Sequence, residues 1–367
     1  MNIQLSDHFN YKKLFLFTLP SVVMMVFTSV YCVVDGFFVS NFAGKTAFAA
    51  INLIMPFIMI LGGIGFMIGT GGSALVSYTL GTGDKEKANR YFSMLVYFTI
   101  LAGILLTVLG IIFVRPIAEL FGADESMMDT CVLYGRIVIA FNAAFMLQNI
   151  FQSFFVVAEK PRLGLIVTIA AGVTNMVLDA LFVGVFKWGI VGAALATGIS
   201  QSIGGLLPLL YFALPNNSPL QLTRTGFELA PLLKASSNGC SELMSNVASS
   251  LIGIVYNYQL MRLGGENAVA TYGVLMYIQF VFIAIFIGYS VGSAPIIGYH
   301  YGAGNFKELQ NMRRKSLKIM SISGVLMAIL GFTLAPVISA IFVGYDAELL
   351  SLTSRGFRLY ALSFLVM

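Results

Sequence analysis

GGSALVSYTLGTGDKEKANR, residues 71–90, returns as GSAPIIGYHYGAGNFKELQN at 292–311, a constant shift of 221 positions. Under that shift the stretch from Asp35 to Gly83 falls on Tyr256 to Gly304 without a gap. Gly44, Ala47, Ala49, Gly71, Tyr78, Gly81 and Gly83 then coincide with Gly265, Ala268, Ala270, Gly292, Tyr299, Gly302 and Gly304. Each copy has the same grammar: an apolar helix with a polar tail, a short turn, a long apolar segment, a small-residue exit and a basic stretch. Units of a solenoid are far shorter than this spacing, so the repeat marks a duplicated domain. The chain is two similar halves.

Composition names the solvent. The 367 residues are 58% hydrophobic and only 10% charged, with a mean hydropathy of +0.89, whereas soluble domains carry about 25% charged residues. A membrane protein is the class that fits. The net charge of +5 could suggest nucleic acid, but Lys and Arg are confined to short loops between apolar runs, a topology signal rather than a polyanion-binding face. Cys32, Cys131 and Cys240 sit in or beside different apolar segments without CxxC spacing, so neither disulfide framework nor metal site is expected. His8 and His300 are isolated. GTGGS at 69–73 lacks the lysine-bearing spacing of a phosphate loop, and no cofactor is expected. The first apolar run is too long for the core of a signal peptide and no cleavage site follows it.

A bilayer crossing needs about 20 apolar residues at 1.5 Å each. Runs of that length are predicted near 14–38, 47–80, 91–115, 133–157, 163–183, 189–213, 236–262, 268–300 and 314–342, and a tenth begins near 353. Lys12, Lys13, Lys85, Lys87, Arg90, Lys160, Arg162, Arg224, Lys234, Lys307 and Arg313–Lys315 all lie on one side of this arrangement. The opposite loops hold Asp124, Glu125, Asp346 and Glu348. The positive-inside rule makes the N-terminus cytoplasmic. Because the second copy starts after six spans, both halves enter from the same side. They are parallel repeats about an axis along the membrane normal, a transporter plan with the substrate between them. The expected division is an N-lobe at 1–214, a cytoplasmic linker, PNNSPLQLTRTGFELAP, at 215–231, and a C-lobe at 232–367. If six spans make a half, the second lacks its last two or three, and the sequence reads as a fragment of a longer protein.

Three of the 16 acids fall deep in apolar runs: Asp35, Asp179 and Glu242. Each would cost about 2.5–3.5 kcal/mol if left ionised at a helix centre, so each is expected to be protonated, to bind a cation or to line a wet cavity. Asn175 precedes Asp179 by one helical turn on the same face, and Thr197 in the next span adds a hydroxyl. Asp35, Asn175, Asp179 and Thr197 together supply hard oxygens suited to Na⁺ or to a proton relay. No other metal site is expected. Glu242 has its own polar neighbours, Asn246 in the same span and Tyr256 and Asn257 at its end. Tyr256 stands where the repeat places Asp35, so the paired carboxylates belong to the first half alone.

These residues resemble a known family, the multidrug and toxic compound extrusion transporters, in the branch that includes the staphylococcal multidrug efflux pump and the DNA-damage-inducible subfamily. The resemblance covers the whole chain. It rests on Pro20, DGFFV at 35–39, AFAAINLIMP at 47–56, GTGD at 81–84, NMVLD at 175–179, WGIVGAALAT at 188–197, SNGCSELM at 237–244 and YNYQLMRLGG at 256–265. It implies an all-α integral membrane fold of two six-helix bundles, twelve helices in all. It also implies efflux of lipophilic, often cationic drugs driven by H⁺ or Na⁺, hence xenobiotic transport and antibiotic resistance. Asp35, Asn175, Asp179 and Thr197 match the family's N-lobe cation site, and Glu242 its C-lobe acid. The expected setting is a bacterial cytoplasmic membrane, with a multi-pass monomer whose partners are lipid and small-molecule drugs, not nucleic acid. The nearest alternative is a lipid-linked oligosaccharide flippase of the same superfamily, which needs basic residues in its cavity. A membrane-embedded enzyme is a distant third, because no catalytic pair is visible.

Overall fold

The structure is a computed structural model and describes residues 3–366 except 40, 41, 43, 44, 124, 345 and 346. Gly44 and the loop acids Asp124 and Asp346 lie outside the described residues, as does the side chain of Asn257. Helices α1 (Tyr11–Phe38), α2 (Lys45–Gly81), α3 (Lys85–Leu120), α4 (Glu125–Ala140), α5 (Asn142–Val157), α6 (Pro161–Asp179) and α7 (Gly189–Ala213) are followed by α8 (Leu229–Gly302), α9 (Phe306–Val343) and α10 (Ala347–Ala361). Among the described residues there is no strand. Bilayer solvent explains the choice: with no water to satisfy backbone groups, a spanning segment must close its hydrogen bonds internally. Among the described residues, seven helical stretches are long and apolar enough to cross a membrane, and α4 and α5, bent by 54° at their junction, make an eighth if the bent pair counts as one span. Leu101, Ile104, Leu105, Val108 and Ile112 leave a stripe of α3 exposed, the i, i+3, i+4 pattern of a lipid-facing surface.

The repeat has a local physical meaning. Gly83 and Gly304 both adopt positive φ, 88° and 65°, a conformation open to glycine without steric cost. The next residue in each copy caps a helix: Asp84 Oδ1 accepts from the Lys87 N–H at 2.9 Å, and Asn305 Oδ1 accepts from the Glu308 N–H at 3.2 Å. GTGD and GAGN are thus the same turn-and-cap device, and each launches a long helix.

Helical backbone runs from Leu229 to Gly302, where the sequence predicts two spans joined by a short turn. A straight helix of that length would measure about 110 Å at 1.5 Å per residue. Yet the Tyr256 and Tyr272 rings stack with centroids 5.5 Å apart, and the single helix α2 touches both Gly239 and Gly298. The run therefore doubles back between Tyr256 and Tyr272 into two antiparallel legs, which fits the two predicted spans. A second departure is the break at Phe141, inside the predicted span 133–157. The Phe141 ring lies against Gly198 of α7, and α5 beyond the break is buried on nearly all sides. Third, α8 begins at Leu229, inside the predicted linker 215–231.

The halves meet through reciprocal contacts of the repeat. A methyl group at Gly81 would collide with the Tyr299 carbonyl oxygen, and one at Gly302 with that of Tyr78. Gly71 lies on Ala235 and Gly239, and Gly292 on Thr18, the repeat counterpart of Gly239. Small residues let membrane helices approach this closely.

The segment before α1 fastens the two halves. Leu5 and Phe9 are fully buried. The Leu5 N–H donates to Glu159 Oε1 at 2.7 Å; burial pushes that carboxyl up from its ordinary value, and the Leu5 bond opposes the shift. On the other half, Glu308 accepts from the Phe9 N–H at 2.9 Å and pairs with His8 Nδ1 at 2.6 Å. Asn311 donates to the Phe9 carbonyl at 3.0 Å.

Candidate functional site

Gly172 of α6 lets α1 approach, because a methyl there would press on the rings of Phe27 and Tyr31. One turn beyond Tyr31 is Asp35, and two turns beyond Gly172 is Asp179. Their carboxyl groups lie close enough to interact. Asp179 is completely buried and Asn175 is 2% exposed. The backbone widens into a π-helical turn over Ala180–Val185, directly after Asp179, a distortion frequent at functional sites.

Polar atoms here are short of partners. Asp35 Oδ1, Asn175 Oδ1, both oxygens of Asp179 and Thr197 Oγ1 are all buried without a hydrogen-bond partner. Buried polar groups in proteins are nearly always satisfied, and a cluster of unpaired acceptors is what a proton or a cation complements. Two carboxylates, an amide oxygen and a hydroxyl are hard ligands for a small cation. Among the described residues no cluster of three or more His, Cys, Asp or Glu is placed to hold a metal.

The sequence reading missed several further buried polar side chains. Tyr134 of α4 is 1% exposed and faces Asp35 and Asp179. Tyr31 sits beside Gln148. Asn142, Gln148 and Gln201 are buried, and each has an unpaired amide oxygen. An amide in an apolar run was the available signal for these three; a tyrosine in a span carries none.

The C-lobe candidates are placed differently. Glu242 is expected as a buried carboxylate, but it is exposed. The first leg of α8 packs on α2 through Ala235, Gly239 and Leu243, and beyond Leu243 its residues are largely exposed. Glu242 and Asn246 stand on the open face, where the Asn246 amide donates to the Glu242 carbonyl at 3.0 Å. Tyr256, 54% exposed, lies further along the same stripe and stacks on Tyr272.

The family description MatE matches this chain twice, over residues 20–181 and 243–367, one block in each copy of the repeat. The chain belongs to the MatE family. MatE relatives include the multidrug export protein MepA of Staphylococcus saprophyticus, 25% identical over 364 residues that cover 97% of this chain and 80% of that protein. MepA of Staphylococcus haemolyticus is 24% identical over 315 residues, 85% of this chain and 68% of that one. Among solved structures, a MATE protein in complex with MaL6 superposes with a TM-score of 0.91 at 20% identity, covering 98% of this chain and 81% of the other. An outward-facing multidrug resistance MATE transporter of the MOP superfamily also gives 0.91 at 20% identity, covering 98% and 80%. The all-α fold is that of MATE transporters, and the protein is a multi-pass membrane transporter rather than an enzyme.

Proposed function

We propose that the chain exports lipophilic, often cationic compounds by alternating access, driven by H⁺ or Na⁺ entering at Asp35, Asn175, Asp179 and Thr197. The names of its relatives, multidrug export proteins, support the substrate class. The observation that carries the coupling site is the set of unpaired buried oxygens from those four residues. Two carboxylates close together in low dielectric share one positive charge, so their titration belongs to the pair. Binding of that charge draws α1 onto α6, and a ligand that favours one packing of these helices shifts the equilibrium between access states. Asp35 and Asp179 act as the shared acid, Asn175 and Thr197 as orienting oxygens, and Tyr134 closes the site. Glu242, Asn246 and Tyr256 line the face of the C-lobe that receives substrate, and Asn257 is assigned to it from its place in the sequence alone.

The test is dye efflux from proteoliposomes under an imposed Na⁺ gradient at fixed pH, and separately under a pH gradient without Na⁺. One of the two gradients drives wild-type efflux. Asp35→Asn and Asp179→Asn each abolish it while drug binding remains measurable, and the double variant is no worse than either single one. Independent losses that multiply in the double variant overturn the shared site.

A further inference from the structure

Near the start of α1, where α6 begins and α7 gives way to the inter-half segment, lies a cavity of about 580 Å³. Its rim carries Lys160 and Arg162, with Asn217 opposite, and its wall continues through Leu16, Leu163 and Ile166. Ile166 lies one helical turn beyond Arg162 on the same face of α6 and is 61% exposed. A second cavity of about 430 Å³ shares Glu159, Lys160, Asn216 and Asn217 with the first and adds Lys85 and Ser218. The combined shape is a basic, amide-rimmed mouth above an apolar wall open to the hydrocarbon.

The cations of this mouth outnumber its acid. The ion pairs of His8 with Glu308, Lys13 with Asp7 and Arg115 with Glu119 use none of Lys85, Lys160 and Arg162. The one acid lining the two cavities, Glu159, lies beside Lys160 and offsets part of its charge while accepting from the Leu5 N–H, which leaves the cations of Lys85 and Arg162 in excess. At the start of α6, Lys160 offers no side-chain cap. Pro161 has no N–H, and the Leu163 and Gly164 N–H groups turn back to the Lys160 carbonyl.

We infer that this mouth is a binding site for one anionic glycerophospholipid, with its phosphodiester between Lys160 and Arg162 and an acyl chain against Leu163 and Ile166. Basic pockets between membrane helices on the cytoplasmic side hold anionic headgroups, and the basic loops put this end of the protein on that side. The apolar wall separates a lipid from a free anion. An inorganic phosphate would use the rim alone, whereas a lipid uses both. The occupant would touch α1 through Leu16, α6 through Arg162 and the inter-half segment through Asn217, and so join three elements at one end of the N-half.

The experiment uses the full chain in nanodiscs of phosphatidylcholine with and without phosphatidylglycerol, followed by native mass spectrometry in mild detergent. Wild type retains one phosphatidylglycerol in preference to phosphatidylcholine. The double variant Lys160→Gln/Arg162→Gln loses that preference by on the order of tenfold or more. The control Arg313→Gln/Arg314→Gln, basic residues on α9, keeps it. Normal thermal stability of the first variant excludes misfolding, and if it is unstable, Arg162→Gln alone gives the same loss. Equal retention of both lipids by wild type, equal loss in the control, or full displacement by inorganic phosphate would each overturn the inference.

Discussion

Gly81→Ala and Gly302→Ala test whether the duplicated halves close on one another as the reciprocal contact demands. At either site the added carbon collides with a carbonyl oxygen and lies 2.9 Å from the carbonyl carbon, of Tyr299 in one case and Tyr78 in the other. Carbon atoms prefer about 3.5–4.0 Å, so α2 and the second leg of α8 must part by on the order of 1 Å. The obstacle is backbone, which cannot rotate away, and overpacking of this kind costs about 1–3 kcal/mol. If that cost falls only on the arrangement in which these ends are closed, the open arrangement gains about 5- to 150-fold in relative population. Spin labels placed on α2 and α8 near this end would report it as a longer distance distribution by double electron–electron resonance. The two single variants should shift the population alike. Once the helices have parted the second methyl has room, so the double variant should cost less than the sum. A large effect at Gly81 with none at Gly302 would refute the reciprocal contact.

Three further outcomes follow from residues already placed. Phe212→Ala removes a fully buried ring packed against Phe92, Phe151 and Phe155 and should lower stability by about 3–5 kcal/mol, read as an earlier thermal unfolding midpoint in detergent. Asp84→Ala and Asn305→Ala each remove one N-cap bond at the same point of the repeat, and each should cost about 0.5–2 kcal/mol in the same assay. Glu242→Gln, at an exposed position, should leave that midpoint unmoved and weaken transport of cationic dyes more than of neutral ones; equal loss for both dye classes would assign Glu242 another role.

The duplication was legible in GTGD and GAGN because a turn glycine and its cap are local requirements, written in adjacent residues. Asp35 and Asp179 were legible because a carboxylate in an apolar run stands out against its surroundings, and Asn175 because it lies one helical turn before Asp179. Tyr134 was not, since its significance comes only from α4 meeting α1 and α6. The break at Phe141 has no proline or glycine to announce it. The exposure of Glu242 depends on where α8 leaves α2, a tertiary event that helical periodicity does not encode. Nor does the order of residues indicate that a π-helical turn follows Asp179 where an α-helix could have continued.

The segment from Leu5 to Phe9 also bears on how the protein is made. Its bond to Glu159 can form once the fifth helix has left the ribosome, but Glu308 lies 300 residues beyond His8. At about 5–20 residues per second, this segment waits on the order of 15–60 s for its second attachment. This segment is thus synthesised well before its second attachment can form. During that interval α1 is inserted while one side of its leading segment is still without its partner, an opportunity for chaperones or quality-control proteases to sample chains whose second half has not arrived.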